Sequence, residues 1–121
     1  MSEILDKAVE LYKKGQFKEA IDAFSSVLEH EEDNAEIYNN MGLCYAHLGE
    51  FEQAEKAYTK SIKLDPTIAQ AYINLSDLYY KNGDLSGAIG VLERGSYELT
   101  ENYVIAHLLA RVYICLLYTS D

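Results

Sequence analysis

Tyr38-Asn39-Asn40-Met41-Gly42-Leu43-Cys44-Tyr45-Ala46-His47-Leu48-Gly49-Glu50-Phe51-Glu52-Gln53-Ala54-Glu55-Lys56-Ala57-Tyr58 sets the pattern for most of this chain. Seven of its positions, Tyr38, Gly42, Tyr45, Gly49, Phe51, Ala54 and Tyr58, return 34 residues later as Tyr72, Ser76, Tyr79, Gly83, Leu85, Ala88 and Leu92. The same step backwards reaches Ile4, Ala8, Leu11, Gly15, Phe17, Ala20 and Phe24. A unit of this length is one helical hairpin, too small to bury its own apolar face, so it must lean on copies of itself. The expected architecture is all-α, an α-solenoid of antiparallel helix hairpins. The expected function is a protein-binding surface, not a catalytic pocket.

Within each unit the apolar residues fall three and four apart, which gathers them on one face of a helix. Leu5, Ala8, Leu11 and Tyr12 share one such face; Phe17, Ala20, Phe24, Val27 and Leu28 share another. The spacing predicts helices over 2–14, 17–31, 35–48, 51–64, 69–82, 85–98 and 103–117. Gly15, Gly49 and Gly83 follow three of them, where glycine accepts the left-handed backbone that closes a helix. Asn34, Asp84 and Asn102 stand where a side-chain oxygen can cap the next helix. Asp65-Pro66 ends the fourth, because proline disfavours helical geometry in the residue before it. Ala20, Ala54 and Ala88 recur where paired helices would cross closely, and a bulkier side chain there would cost about 1–3 kcal/mol.

The 121 residues suffice for one domain, and 49% hydrophobic content supplies its core. Twenty acidic residues against 10 basic ones give a net charge of -10. Such a chain repels polyphosphate, so nucleic acid is not an expected partner. The acid excess would suit a basic protein partner, or simply keep the molecule dispersed in water. Cys44 and Cys115 make neither a disulfide nor a metal framework. The start, Met1-Ser2-Glu3-Ile4-Leu5-Asp6-Lys7, lacks the basic and then apolar run of a secretory signal. A cytoplasmic protein without a cofactor is expected.

The passage from Ala35 to Pro66 closely resembles a tetratricopeptide repeat. That family's pattern wants a large aromatic, a Leu-Gly pair, an aromatic, a turn glycine, an alanine, an aromatic, a small residue and a proline. Tyr38, Met41-Gly42, Tyr45, Gly49, Ala54, Tyr58, Ser61 and Pro66 occupy those places. The likeness extends over 69–102 and, with Lys7 for a leucine and Glu32 for the proline, over 1–34. It implies three units, 1–34, 35–68 and 69–102, and the first helix of a fourth, 103–114. It also implies a right-handed superhelix whose first helices line a concave groove.

On that geometry the groove side offers Asp6, Val9 and Lys13 in the first unit, and Glu36 with further residues in the second. Peptide binding is expected on Asn39, Asn40, Leu43, His47, Gln70, Ile73, Asn74, Asp77 and Lys81, with His107 and Arg111 beyond them. The three asparagines stand foremost, since an amide both donates and accepts and so can hold an extended backbone. Leu43 and Ile73 would supply apolar pockets. Some family members clamp the C-terminal carboxylate of cytosolic chaperones between Lys and Asn residues. The matching positions here are Leu5, Val9, Asn40, Gln70 and Asn74; Asn40 alone fits and three cations are missing, so chaperone tails are not expected.

Other chemistry is sparse. His30, His47 and His107 lie in different units with no Glu or Cys at ligand spacing, so no metal is expected. Cys44 has no neighbouring cation to activate it and reads as an inert core thiol. No nucleophile or acid–base pair is apparent, so no enzymatic activity is expected.

Cys115-Leu116-Leu117-Tyr118-Thr119-Ser120-Asp121 resembles the translation of a transposon-end adaptor from DNA library preparation. Residues 115–121 are therefore read as a non-native tail, and the chain as a fragment. The last helix is apolar almost all round, yet falls short of the ~20 residues that span a membrane, and His107 and Arg111 interrupt it. Two functions fit: a scaffold that takes a peptide or extended partner segment in its groove, or the adaptor portion of a larger transferase or signalling enzyme whose catalytic part follows Ile114.

Overall fold

The computed structural model describes residues 2–30 and 33–119, and these contain helices and turns but no strand. The helices are α1 (Ser2–Lys13), α2 (Phe17–His30), α3 (Ala35–His47), α4 (Phe51–Leu64), α5 (Ala69–Lys81), α6 (Leu85–Glu98) and α7 (Tyr103–Thr119). Each end falls within two residues of the bound that the apolar spacing gives. Met1, Glu31, Glu32, Ser120 and Asp121 lie outside the described residues, among them the expected last residue of α2 and the end of the expected foreign tail. The α7 helix runs on past Ile114, and Leu116 packs against the core.

Three turns are built alike. Gly15, Gly49 and Gly83 have φ of 79, 77 and 83°, a region costly for any residue with a Cβ. The amide after each glycine turns back to the preceding helix: Gln16 N donates to Leu11 O at 2.9 Å, Glu50 N to Tyr45 O at 2.9 Å and Asp84 N to Tyr79 O at 2.9 Å. These bonds satisfy carbonyls that a helix end otherwise leaves open. The side chains of Asn34, Asp84 and Asn102 accept from Glu36 N, Gly87 N and Ile105 N at 2.9, 2.8 and 2.9 Å. Each of these three caps was legible in the sequence.

The helices pair as α1–α2, α3–α4 and α5–α6, and successive hairpins join through α2–α3, α4–α5 and α6–α7. First helices also meet, α3 touching α5 and α5 touching α7, so these three lie side by side on one flank. Two buried clusters form the core. One gathers Phe24, Val27, Ile37, Met41 and Cys44; the other gathers Tyr58, Ile62, Tyr72, Leu75, Leu92 and Ile105; Tyr45 packs against both. Full burial of such a side chain stabilises the fold by about 1.5–3 kcal/mol. Ala20, Ala54 and Ala88 are wholly buried, as close helix crossing requires.

Within a hairpin a large ring meets a residue that lacks one. The Tyr58 ring of α4 lies so near Gly42 of α3 that a Cβ there would come within 2.5 Å of it. In the next unit the roles reverse: the Tyr72 ring of α5 lies over Gly95 of α6, 3.0 Å from an added Cβ. Where Ser61 holds the place of Gly95, its Oγ donates to Ala35 O at 2.7 Å.

Gly42→Ala should therefore lower unfolding stability by about 1–3 kcal/mol through overpacking. Gly90→Ala, where an added Cβ meets nothing within 4 Å, should raise it by up to about 1 kcal/mol through helix propensity. Urea titration followed by circular dichroism reads both changes, and a shift of the same sign for the two would contradict this packing.

Candidate peptide-binding groove

With α3, α5 and α7 side by side, two cavities open on either side of α5. The first, of about 280 Å³, lies between α3 and α5 and has apolar walls from Leu43, Phe51, Tyr58 and Leu78. The second, of about 250 Å³, lies between α5 and α7 and is walled by Ile73, Leu92, Leu108 and Val112. Asn74 and Asp77 border both, so α5 is the ridge between them. His47 and Lys81 stand at the first cavity and Arg111 at the second.

Six of the residues expected to bind, Leu43, His47, Ile73, Asn74, Asp77 and Lys81, line one or both cavities. Asn39, Asn40 and Gln70 line neither. The expectation that Asn39 faces the groove needs correction, for it is buried with 7% of its surface exposed. The Asn39 Oδ1 accepts from Asn74 Nδ2 at 3.0 Å, and Gln70 Nε2 donates to Asn74 Oδ1 at 3.1 Å. The approach of α5 to α3 covers Asn39 and turns three amides into a chain that joins two repeats. Such a pairing spares Asn39 the cost of a buried unsatisfied amide. Asn40 is half-buried and has no side-chain hydrogen bond among the described residues.

The second helices contribute walls that a count of first helices misses: Phe51 and Tyr58 on one side of the ridge, Leu92 on the other. At the edge of the first cavity the His47 ring stacks on Phe17 at a centroid distance of 4.5 Å and an interplanar angle of 1°. Tyr12 meets the same His47 ring edge-on at 6.0 Å. The turn signal at Gly15 marks where Phe17 begins α2, but nothing in the sequence ties it to His47 one repeat away.

Charge on the ridge is local and exposed. Lys81 Nζ lies 3.1 Å from Asp77 Oδ2, one helical turn apart, a pair worth less than about 1 kcal/mol in solvent. Behind the ridge the Tyr79 hydroxyl donates to Glu55 Oε2. Burial and then that carboxylate push the Tyr79 phenol up to about 12. Burial pushes the Cys44 thiol up to about 11, which keeps it protonated and unreactive at neutral pH. Among the described residues no three of His, Cys, Asp and Glu gather as a metal site would require.

Three family models match in overlapping stretches: "Tetratricopeptide repeat" over 35–68, "TPR repeat" over 8–49 and "Tetratricopeptide repeat" over 57–90. The chain belongs to the tetratricopeptide repeat family. Neutrophil cytosol factor 2 of Bos taurus is 33% identical over 108 residues, covering 84% of this chain and 20% of that protein. The chain thus spans about a fifth of the length of this curated relative. The Sgt2 TPR domain from Aspergillus fumigatus superposes with a TM-score of 0.85 at 16% identity, over 98% of this chain and 80% of that one. The first TPR of Spaghetti (RPAP3), solved bound to the HSP90 peptide SRMEEVD, gives a TM-score of 0.81 at 21% identity, over 94% and 93%. At these identities the likeness speaks for the fold. The expectation against chaperone tails is not borne out, since a structure of this shape holds such a peptide.

Asn39→Ala should cost about 1–2 kcal/mol of stability, because it strands the Asn74 amide in a half-buried place. Asn40→Ala should stay within about 0.5 kcal/mol of the parent. Thermal or urea melts of the two variants decide it; equal costs would mean that the amide chain contributes nothing.

Proposed function

We propose that the chain is a protein–protein interaction scaffold whose groove receives a peptide or extended segment of a protein partner. The observation that carries this reading is the pair of apolar-walled cavities flanking α5, with Asn74 on the wall they share. At about 280 and 250 Å³ each lies below the about 300–1,000 Å³ usual for a compact ligand. Two side-chain-sized hollows in a row suit successive side chains of one extended strand. Asn74 keeps one N–H and an acceptor lone pair beyond its two amide bonds, enough to meet a peptide backbone.

Chaperone tails belong among the candidate partners, as an HSP90 peptide is what the RPAP3 domain holds. The proposed setting is the cytoplasm; no helix among the described residues is long and apolar enough to cross a membrane. No catalytic role is proposed for these residues. The unit division 1–34, 35–68 and 69–102, with a further unit beginning at 103–114 and foreign residues at 115–121, belongs to the same proposal. An adaptor role within a longer enzyme would use the same groove, and the relatives' much greater length favours a longer protein.

Asp77→Trp would overhang both cavities from an exposed position without disturbing the core, while Lys56→Trp would alter α4 away from them. In capture with the immobilised chain, Asp77→Trp should lose a partner at least about tenfold, the size of a lost interface contact of ~1.4 kcal/mol. Lys56→Trp should retain it. Equal capture by both would put the binding surface elsewhere.

A further inference from the structure

The α7 helix is apolar on two opposite faces. Ile105 and Val112 are buried where it meets α6 and α5, and Leu116 packs against the same cluster. On the other face Tyr103, Ala106, Ala110, Ile114 and Leu117 follow at steps of three, four, four and three residues, the spacing that lines side chains along one side of a helix. All five are exposed, Tyr103 by 87%, Ile114 by 54% and Leu117 by 74%. Tyr113 stands aside from them, its hydroxyl donating to Glu93 Oε2 on α6. A contiguous apolar stripe of this kind marks an interaction surface.

The stripe reads alike from either end. Tyr103 and Leu117 each lie seven residues from Ala110, and Ala106 and Ile114 each lie four from it. A two-fold axis at Ala110 sets a second α7 antiparallel to the first. Ile114 of one copy then covers Ala106 of the other, Leu117 of one meets Tyr103 of the other, and the two Ala110 residues form the crossing. That is an isologous contact, in which residue i meets j and j meets i. A parallel pair would set alanine on alanine beside isoleucine on isoleucine, leaving voids that cost stability.

Charge and area favour the same occupant. Tyr103–Thr119 contains no Asp or Glu, whereas α1 to α6 each contain at least one. Two copies of net charge -10 therefore repel least when they approach through α7. The stripe is about 21 Å long and a helix with its side chains about 10–12 Å wide. Two such strips bury roughly 1,000 Å² in total, the low end for a specific interface. The α7 residues at the second cavity, Leu108, Arg111, Val112 and Cys115, are not on the stripe, so the groove stays open in the pair.

We infer that α7 is a self-association surface through which two copies of this chain pair antiparallel. The pair is weak, with a Kd on the order of micromolar, as so small an interface supports. The pairing does not rest on the groove's function. Its central Ala106–Ile114 contact also precedes the residues read as foreign.

Sedimentation equilibrium of the full chain between about 1 and 100 μM, the range set by that Kd, tests this. The apparent mass should rise from that of one chain toward that of two. Ala106→Glu and Ile114→Lys each put a charge on the stripe from an exposed position and leave the core untouched. Each should weaken association at least about tenfold. Mixed in equal amounts, the two variants should pair again. The antiparallel register sets the new carboxylate of one against the new ammonium of the other and keeps a native Ala106–Ile114 contact at the symmetric place. A misfolded variant could not produce that rescue. A one-chain mass throughout, dimers indifferent to both substitutions, or no rescue on mixing would overturn the inference. Uptake by phosphatidylcholine vesicles in place of pairing would also overturn it, since the stripe would then be a lipid anchor.

Discussion

The close approach of the Tyr58 ring to Gly42 fixes how near α3 and α4 can come, and the groove follows from it. The same ring that fills the hairpin crossing is a wall of the cavity between α3 and α5. Its phenol is raised well above the usual tyrosine range by burial, so it is neutral at physiological pH and acts as an apolar surface with a polar tip. A larger residue at Gly42 would push α4 away, and the cavity would lose its wall along with the core its packing. Structure and binding surface thus share one contact.

Because each hairpin packs, among the described residues, chiefly on its neighbours, stability in this fold is passed along a line instead of being concentrated at one centre. The α7 helix makes the point at one end. Ile105 and Val112 are buried where α7 meets the preceding hairpin. Ala106 and Ala110, in the places held by Tyr72 and Ser76 one repeat earlier, are exposed. Tyr72 and Ser76 are buried, with Tyr72 packed on Gly95 of its own hairpin partner. Among the described residues, α7 has the contacts of a first helix on its inner side only.

Much of the architecture was legible in the sequence because it is set locally. A glycine at positive φ, a capping Asn or Asp, and an apolar residue every third or fourth place each report on a few adjacent residues. The repeat then extends that local information across the chain. Contacts between units were not legible for the opposite reason. The Asn39–Asn74 bond joins residues 35 apart whose meeting depends on the approach of α5 to α3. The same holds for His47 on Phe17 and for the walls supplied by Phe51, Tyr58 and Leu92. Periodicity assigned each side chain to a face, but only the distance between stacked hairpins decides which members of that face meet water.

Residue-resolved amide hydrogen exchange on the full chain tests most directly whether hairpins leaning on neighbours hold this molecule together. Protection should be greatest in α3 and α4, whose hairpin has a complete hairpin on each side, and should decline toward α1 and the last turns of α7. Equal protection in all seven helices, or protection that peaks at either end, would contradict it.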